Sequence, residues 1–142
     1  MSAVDNAGPF SGRVLVLDDD DQVRHMLCMA LQVVGFDPLE AGSAYEAYRR
    51  LATGRPPEAM IIDLQETETQ GLEVLRYIRA HSDLQDMPIV FLAGQTSTDL
   101  HWRALTSGAD WYFSKPLSLR ELQSRVDSLV RQGRPLAVQS RG

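Results

Sequence analysis

The chain has 142 residues, 44% of them hydrophobic and 23% charged, which suits one soluble globular domain and excludes a disordered or fibrous protein. A net charge of -5 and a pI near 5.1 provide no basic stripe with which this domain would bind nucleic acid directly or grip an anionic membrane. No apolar run approaches the roughly 20 residues that span a bilayer, Met1 to Gly12 lacks the layout of a signal peptide, and the single Cys28 cannot form an internal disulfide, so a cytoplasmic location is expected.

Met1 to Gly12 is small and polar and is broken by Gly8-Pro9, which predicts a flexible leader over residues 1–12. Arg13 to Leu17 is a short, β-branched apolar run that reads as a strand buried on both faces, and it ends abruptly in Asp18-Asp19-Asp20-Asp21. Val23, Met26, Leu27, Ala30, Leu31 and Val34 recur at helical spacing and stop at Gly35. Phe36 to Ala41 is a short strand whose Pro38 is tolerated only at a sheet edge or a strand start.

Ser43-Ala44-Tyr45-Glu46 has capping-box spacing and opens a helix through Leu51. Ala59 to Asp63 repeats the opening theme of a buried strand with an acid at its end. Gly71 is expected to precede a third helix carrying Leu72, Val74, Leu75 and Ile78, and Pro88 to Gly94 is another doubly buried strand. A helix over Thr98 to Ser107 is closed by Gly108, Trp111 to Lys115 forms an aromatic strand that stops at Pro116, and Ser118-Leu119-Arg120-Glu121 caps a last helix with Leu122, Val126, Leu129 and Val130 on one face. Residues 13–132 are thus expected to form the domain, with 133–142 as a tail or the start of a linker to an output domain.

Five strands alternating with five helices imply right-handed crossovers and a flavodoxin-like, doubly wound α/β parallel sheet of order 2-1-3-4-5. That order sets strand one beside strand three at the switch point, where Asp18, Asp19 and Asp63 would share one crevice. Two carboxylates about 4 Å apart repel by about 4 kcal/mol at an effective dielectric of 20, and a divalent cation relieves this. Oxygen-only ligands suit magnesium, which takes one or two carboxylates plus water and a substrate phosphate. Lys115, at the end of strand five, is placed to balance phosphoryl charge, so the set suits phosphoryl transfer onto a carboxylate.

The ordered set Val16-Leu17-Asp18-Asp19-Asp20, Arg24, Leu27, Ile61-Ile62-Asp63, Gly71-Leu72-Glu73-Val74-Leu75, Gly108-Ala109-Asp110 and Lys115-Pro116 closely resembles a response-regulator receiver domain over roughly residues 13 to 131. The resemblance implies bacterial two-component signalling in which Asp63 accepts a phosphoryl group from a histidine kinase or phosphotransfer protein. It implies that Asp18 and Asp19 hold Mg2+ together with Asp63 and the main-chain carbonyl of Gln65. Lys115 would contact the phosphoryl group, and Tyr112 would be the switching aromatic. Four aspartates in a row admit a register one residue later; the spacing to Arg24 selects Asp18 and Asp19, leaving Asp20 and Asp21 as a solvated helix start. A phosphatase of the haloacid dehalogenase kind would need a Thr or Val where Gln22 stands.

The chain departs from the family pattern at Ala93, where strand four should end in a threonine or serine. A hydrogen bond to a charged group is worth about 1.5–3 kcal/mol, so its loss weakens the bias between the two switch states. Thr96 or Ser97 would be the nearest substitutes. Thr67 stands where the family commonly has proline, Glu66 and Glu68 add acids near the crevice that are expected to face water, and the resemblance implies that Gln65 and Gln95 border the attacking water, which makes them candidates for tuning phosphoryl lifetime. Trp102, Trp111, Tyr112 and Phe113 cluster on the side through which receivers commonly dimerise, formed by helix four, strand five and helix five; any exposed member would mark a partner face. His25, His81 and His101 have no metal-ligand spacing and read as ordinary surface histidines. Two functions therefore stand side by side: a magnesium-dependent phosphoacceptor that assists its own phosphorylation and dephosphorylation without being an enzyme in its own right, and a phosphorylation-independent interaction module with coupling lost through Ala93.

Overall fold

The computed structural model describes residues 8–64, 68–94 and 98–135. In chain order the elements are β1 (Arg13–Asp18), α1 (Asp21–Gln32), β2 (Asp37–Ala41), α2 (Ala44–Ala52), β3 (Ala59–Asp63), α3 (Glu68–Ala80), β4 (Ile89–Ala93), α4 (Thr98–Thr106), β5 (Trp111–Ser114) and α5 (Leu119–Gln132). The strands pair in parallel in the order β2-β1-β3-β4-β5, the flavodoxin-like arrangement read from the alternation of strand and helix.

Successive side chains of a strand face opposite sides of the sheet, so each central strand feeds two cores. Leu15 and Leu17 of β1, Met60 and Ile62 of β3, and Ile89 and Phe91 of β4 pack beneath α2, α3 and α4 with Leu72, Leu75, Ile78 and Leu100. Val14 and Val16, Ala59 and Ile61, and Val90 and Leu92 face the other way, against Leu27 and Leu31 of α1 and Leu122, Val126 and Leu129 of α5. Burial on both faces explains why β1, β3 and β4 read as unbroken apolar runs. Pro38 lies in β2, an edge strand, where its missing N–H costs no ladder bond on the open side.

The helix starts follow local chemistry. Asp20 caps α1, its Oδ1 accepting from the N–H groups of Gln22 (2.9 Å) and Val23 (3.1 Å), and Asp21 occupies the first turn. Ser43 Oγ accepts from Glu46 N at 3.2 Å while Glu46 Oε1 accepts from Gly42 N at 2.6 Å, a reciprocal cap displaced by one residue from the usual partner. Ser118 Oγ accepts from Glu121 N at the start of α5.

Two expectations are corrected. Gly71 does not precede α3 but sits inside its first turn. A Cβ there would lie 3.2 Å from Phe91 Cζ and 3.3 Å from Ile62 Cγ2, so the glycine lets α3 approach the sheet rather than starting the helix. The aromatic strand ends at Ser114, one residue before Lys115, which stands just past the strand. Contacts also extend from the packed unit to residues flanking 13–132. Phe10 N donates to Val34 O at 2.8 Å and the Phe10 ring lies 5.5 Å from that of Phe36, an aromatic pair worth about 0.5–1.5 kcal/mol beyond its burial. Beyond α5, Arg134 pairs with Asp110.

Candidate functional site

β1 and β3 are neighbours in the sheet, and their last residues, Asp18 and Asp63, are register partners. Both side chains are fully buried at the carboxyl end of the sheet. Asp18 Oδ1 accepts from Asp20 N at 2.9 Å. Among the described residues, Asp18 Oδ2 and both Asp63 oxygens are buried without a hydrogen-bond donor. Lys115 reaches in from the end of β5, its side chain 19% exposed and its Nζ 2.6 Å from Asp63 Oδ2. That approach misses hydrogen-bonding angles, so the contact is an ion pair in charge and distance only. Lys115 is the chain's only lysine.

One ammonium between two buried carboxylates leaves the site short of positive charge. Burial, as the chief cause, pushes the Asp18 carboxyl up to about 8; the Asp20 N–H opposes the rise, neighbouring Asp63 adds to it and Lys115 opposes it. Unsatisfied buried oxygens with displaced ionisation suit a bound cation, and an all-oxygen donor set suits magnesium. Asp19, next in the chain to Asp18, is half-buried beside the pair. Among the described residues no group of three His, Cys, Asp or Glu side chains forms a ready metal cage. Magnesium retains several waters and fills its shell from substrate phosphate, so two carboxylates and a flanking third satisfy its needs.

Ala93 ends β4, pairs in register with Ser114 and is 3% exposed, with its carbonyl accepting from Lys115 N at 2.9 Å. Its methyl packs in the α2–α4 core and offers no hydroxyl to the crevice. Tyr112 is half-buried on the same side of the sheet, its ring parallel to that of Phe91 at 6.2 Å and to that of His101 at 4.3 Å. Trp102 is 67% exposed and Trp111 37%, the latter with the Arg125 guanidinium 3.5 Å above its ring. Gln65 and Gln95, together with Glu66, Thr67, Thr96 and Ser97, lie outside the described residues, as does the side chain of Glu68.

Three arrangements had no reading in the sequence beyond spacing. Arg24, which in the sequence was one of the residues of the family pattern and set the acid register, is joined by Glu40 of β2 beneath the β1 terminus. His101 covers Tyr112 from α4. Asp110, buried, gathers Arg79 and Arg134. Each brings together segments distant in the chain, and the sequence marked Arg24 and the Gly108-Ala109-Asp110 run without showing their partners.

A flavodoxin-like sheet with buried acids at its switch point and a lysine just past the last strand defines a doubly wound α/β domain with an acidic crevice site. Residues 14–127 match the response regulator receiver domain family, and the chain belongs to that family. It is 31% identical over 128 residues to the phosphate regulon transcriptional regulatory protein PhoB of Escherichia coli (strain K12), covering 89% of this chain and 55% of that protein. It is 37% identical over 125 residues to the response regulator MprA of Mycobacterium bovis (strain BCG / Pasteur 1173P2), covering 88% and 53%. The chain thus spans about half the length of the curated relatives it matches. Among solved structures it resembles the receiver domain of the Francisella response regulator 1452 (28% identity, TM-score 0.77, 85% of this chain and 98% of that one). It also resembles the signal receiver domain of a signal transduction histidine kinase from Syntrophus aciditrophicus (27%, 0.77, 84% and 90%). No described helix is long and apolar enough to cross a membrane.

Proposed function

We propose that this receiver domain accepts a phosphoryl group on Asp63, in a magnesium-dependent transfer from the phosphohistidine of a cytoplasmic sensor kinase or phosphotransfer protein. The observation that carries this is the facing pair Asp18 and Asp63, buried and short of donors, with Lys115 Nζ 2.6 Å from Asp63. An Asp63 oxygen attacks phosphorus, the phosphorus–nitrogen bond of the donor breaks, and an acyl phosphate forms. Lys115 exchanges its partner from the carboxylate to the new phosphoryl oxygens. Asp18, Asp19, Asp63 and the Gln65 carbonyl would hold the magnesium ion, which supplies charge neutralisation at the phosphoryl oxygens. Gln65 and Gln95 tune the lifetime of the acyl phosphate against water.

The output is a protein–protein surface on α4, β5 and α5. Exposed Trp102 and Trp111 support its use as a partner face, a second copy of the chain being one candidate. A second reading, a constitutive interaction module uncoupled from phosphorylation, is favoured by one observation, the absence of a hydroxyl at Ala93. Intact mass after incubation with acetyl phosphate and magnesium separates the two. The parent gains one phosphoryl group and Asp63→Asn does not; a parent without mass gain overturns the phosphoacceptor reading.

A further inference from the structure

Arg24 joins three elements beneath the acidic crevice. Its side chain is 13% exposed. Nε donates to Glu40 Oε1 of β2 at 2.8 Å, Nη1 donates to the main-chain carbonyl of Asp18 at 2.9 Å, and Nη2 lies 2.8 Å from Asp21 Oδ1 in the first turn of α1. Gly42 makes room for it: a Cβ there would lie 3.0 Å from Nη1. Two carboxylates face the one guanidinium, so its charge is already compensated before the crevice is reached. What Arg24 delivers to Asp18 is a hydrogen bond to the peptide carbonyl, not a counter-ion to the carboxylate.

The Asp18–Asp19 peptide is the hinge on which both acids hang. On one side its carbonyl is held by Arg24, and on the other Asp18 Oδ1 is held by the N–H of Asp20. Rotation of that peptide would reorient Asp18 and Asp19 relative to Asp63. We infer that Arg24, clamped by Glu40 and Asp21, is a positioning residue that orients the Asp18–Asp19 turn for cation binding and thereby for phosphoryl transfer. The inference rests on the phosphoacceptor reading for the role of those acids. Outer groups that orient metal ligands typically contribute 10- to 100-fold in affinity, which sets the scale expected.

Positioning and bulk charge make opposite forecasts, because loss of a nearby cation by itself strengthens binding of a divalent cation. Magnesium chloride is titrated calorimetrically into the full chain for the parent, Arg24→Gln, Arg24→Lys and Gly42→Ala, with thermal melts in chelator and acetyl phosphate transfer across the same magnesium range. Arg24→Gln is expected to weaken magnesium binding about 10-fold. Its transfer rate at saturating magnesium is retained, the split that marks lost binding rather than lost chemistry. Arg24→Lys, which keeps the charge and a donor for the Asp18 carbonyl, is expected to recover part of the affinity. Gly42→Ala, which alters no charge and presses hardest on the guanidinium, its Cβ 3.0 Å from Nη1 and 3.4 Å from Glu46 Oε1, weakens magnesium binding in the same direction.

A lower melting temperature with unchanged or tighter magnesium binding in Arg24→Gln would overturn the inference and reduce Arg24 to a structural tie. If that variant does not fold, Gly42→Ala decides alone, and unchanged affinity there overturns the inference. A parent that binds no magnesium overturns the phosphoacceptor reading and this inference together. A parent that binds magnesium while its variants match it overturns this inference only.

Discussion

Arg134, two residues beyond α5, places its Nε 2.8 Å from Oδ1 of the fully buried Asp110. Arg79 of α3 holds the other oxygen at 2.9 Å and donates to the carbonyls of Gly108, Gln85 and Met87, while Ile89 N donates to the same carboxylate. Burial pulls the Arg79 guanidinium down to about 10, with Asp110 working against that and nearby Arg134 adding to it. One buried carboxylate therefore ties α3, the start of β4, the turn before β5 and the residues after α5.

Removing one member of a buried ion cluster costs about 3–5 kcal/mol because the remaining charges stay buried without a partner. Asp110→Ala is therefore expected to lose stability on that scale in urea melts. A chain ended at Gln132, the boundary suggested by sequence, melts at lower temperature than one ended at Pro135. Equal melting of the two chains would show that Arg134 does not hold the domain edge.

Asp18 makes stability depend on pH in a definite direction. Its folded carboxyl titrates at about 8 against an ordinary 3.8, so between these values the folded state binds the extra proton. Its contribution is present below about pH 4 and is lost as pH rises to about 8. The magnesium-free protein is accordingly expected to lose stability across that window through this group. Asp18→Asn removes this component and melts higher than the parent in chelator at pH 8. A lower melting temperature for Asp18→Asn under those conditions would contradict the geometry of the pair.

Lys115 is the only lysine, so an amine-directed acylating reagent reads its accessibility with the chain's amino terminus as internal reference. Its Nζ is held against Asp63 in a side chain that is largely covered. Labelling of Lys115, followed by peptide mass mapping, is expected to be slow in the parent and faster in Asp63→Asn. Identical rates would mean that the ion pair does not restrain the ammonium.

Ala93 and Tyr112 sit on adjacent strands facing the same core, and His101 stacks on Tyr112 from outside. Restoring a hydroxyl with Ala93→Thr is expected to increase the change in dimer fraction produced by acetyl phosphate, measured by sedimentation. His101→Ala uncovers the tyrosine ring and is expected to increase Tyr112 quenching by solute. An Ala93→Thr protein that responds no more than the parent would show that the hydroxyl missing at Ala93 does not limit the response.

The strands and helices were legible because their periods are local. β1, β3 and β4 show as unbroken apolar runs, α1 and α5 as 3.6-residue stripes, and Ser43 and Ser118 as caps whose hydrogen bonds close within three residues. Strict alternation then limits the topology to a right-handed doubly wound sheet. The meeting of Asp18 with Asp63 followed from that topology, since strand ends at a switch point must converge.

Sequence by itself thus determined the fold, the family and which acids end which strands, all consequences of short-range pattern and chain direction. Only tertiary structure decided that Asp18 and Asp63 are fully buried while Asp19 is half-buried, that Gly71 makes room for Phe91, and that Arg24 meets Glu40 beneath Asp18. It likewise decided that Arg134 closes on Asp110. These outcomes depend on side-chain reach and exclusion of water between residues far apart in the chain, and no periodicity encodes a partner at that separation.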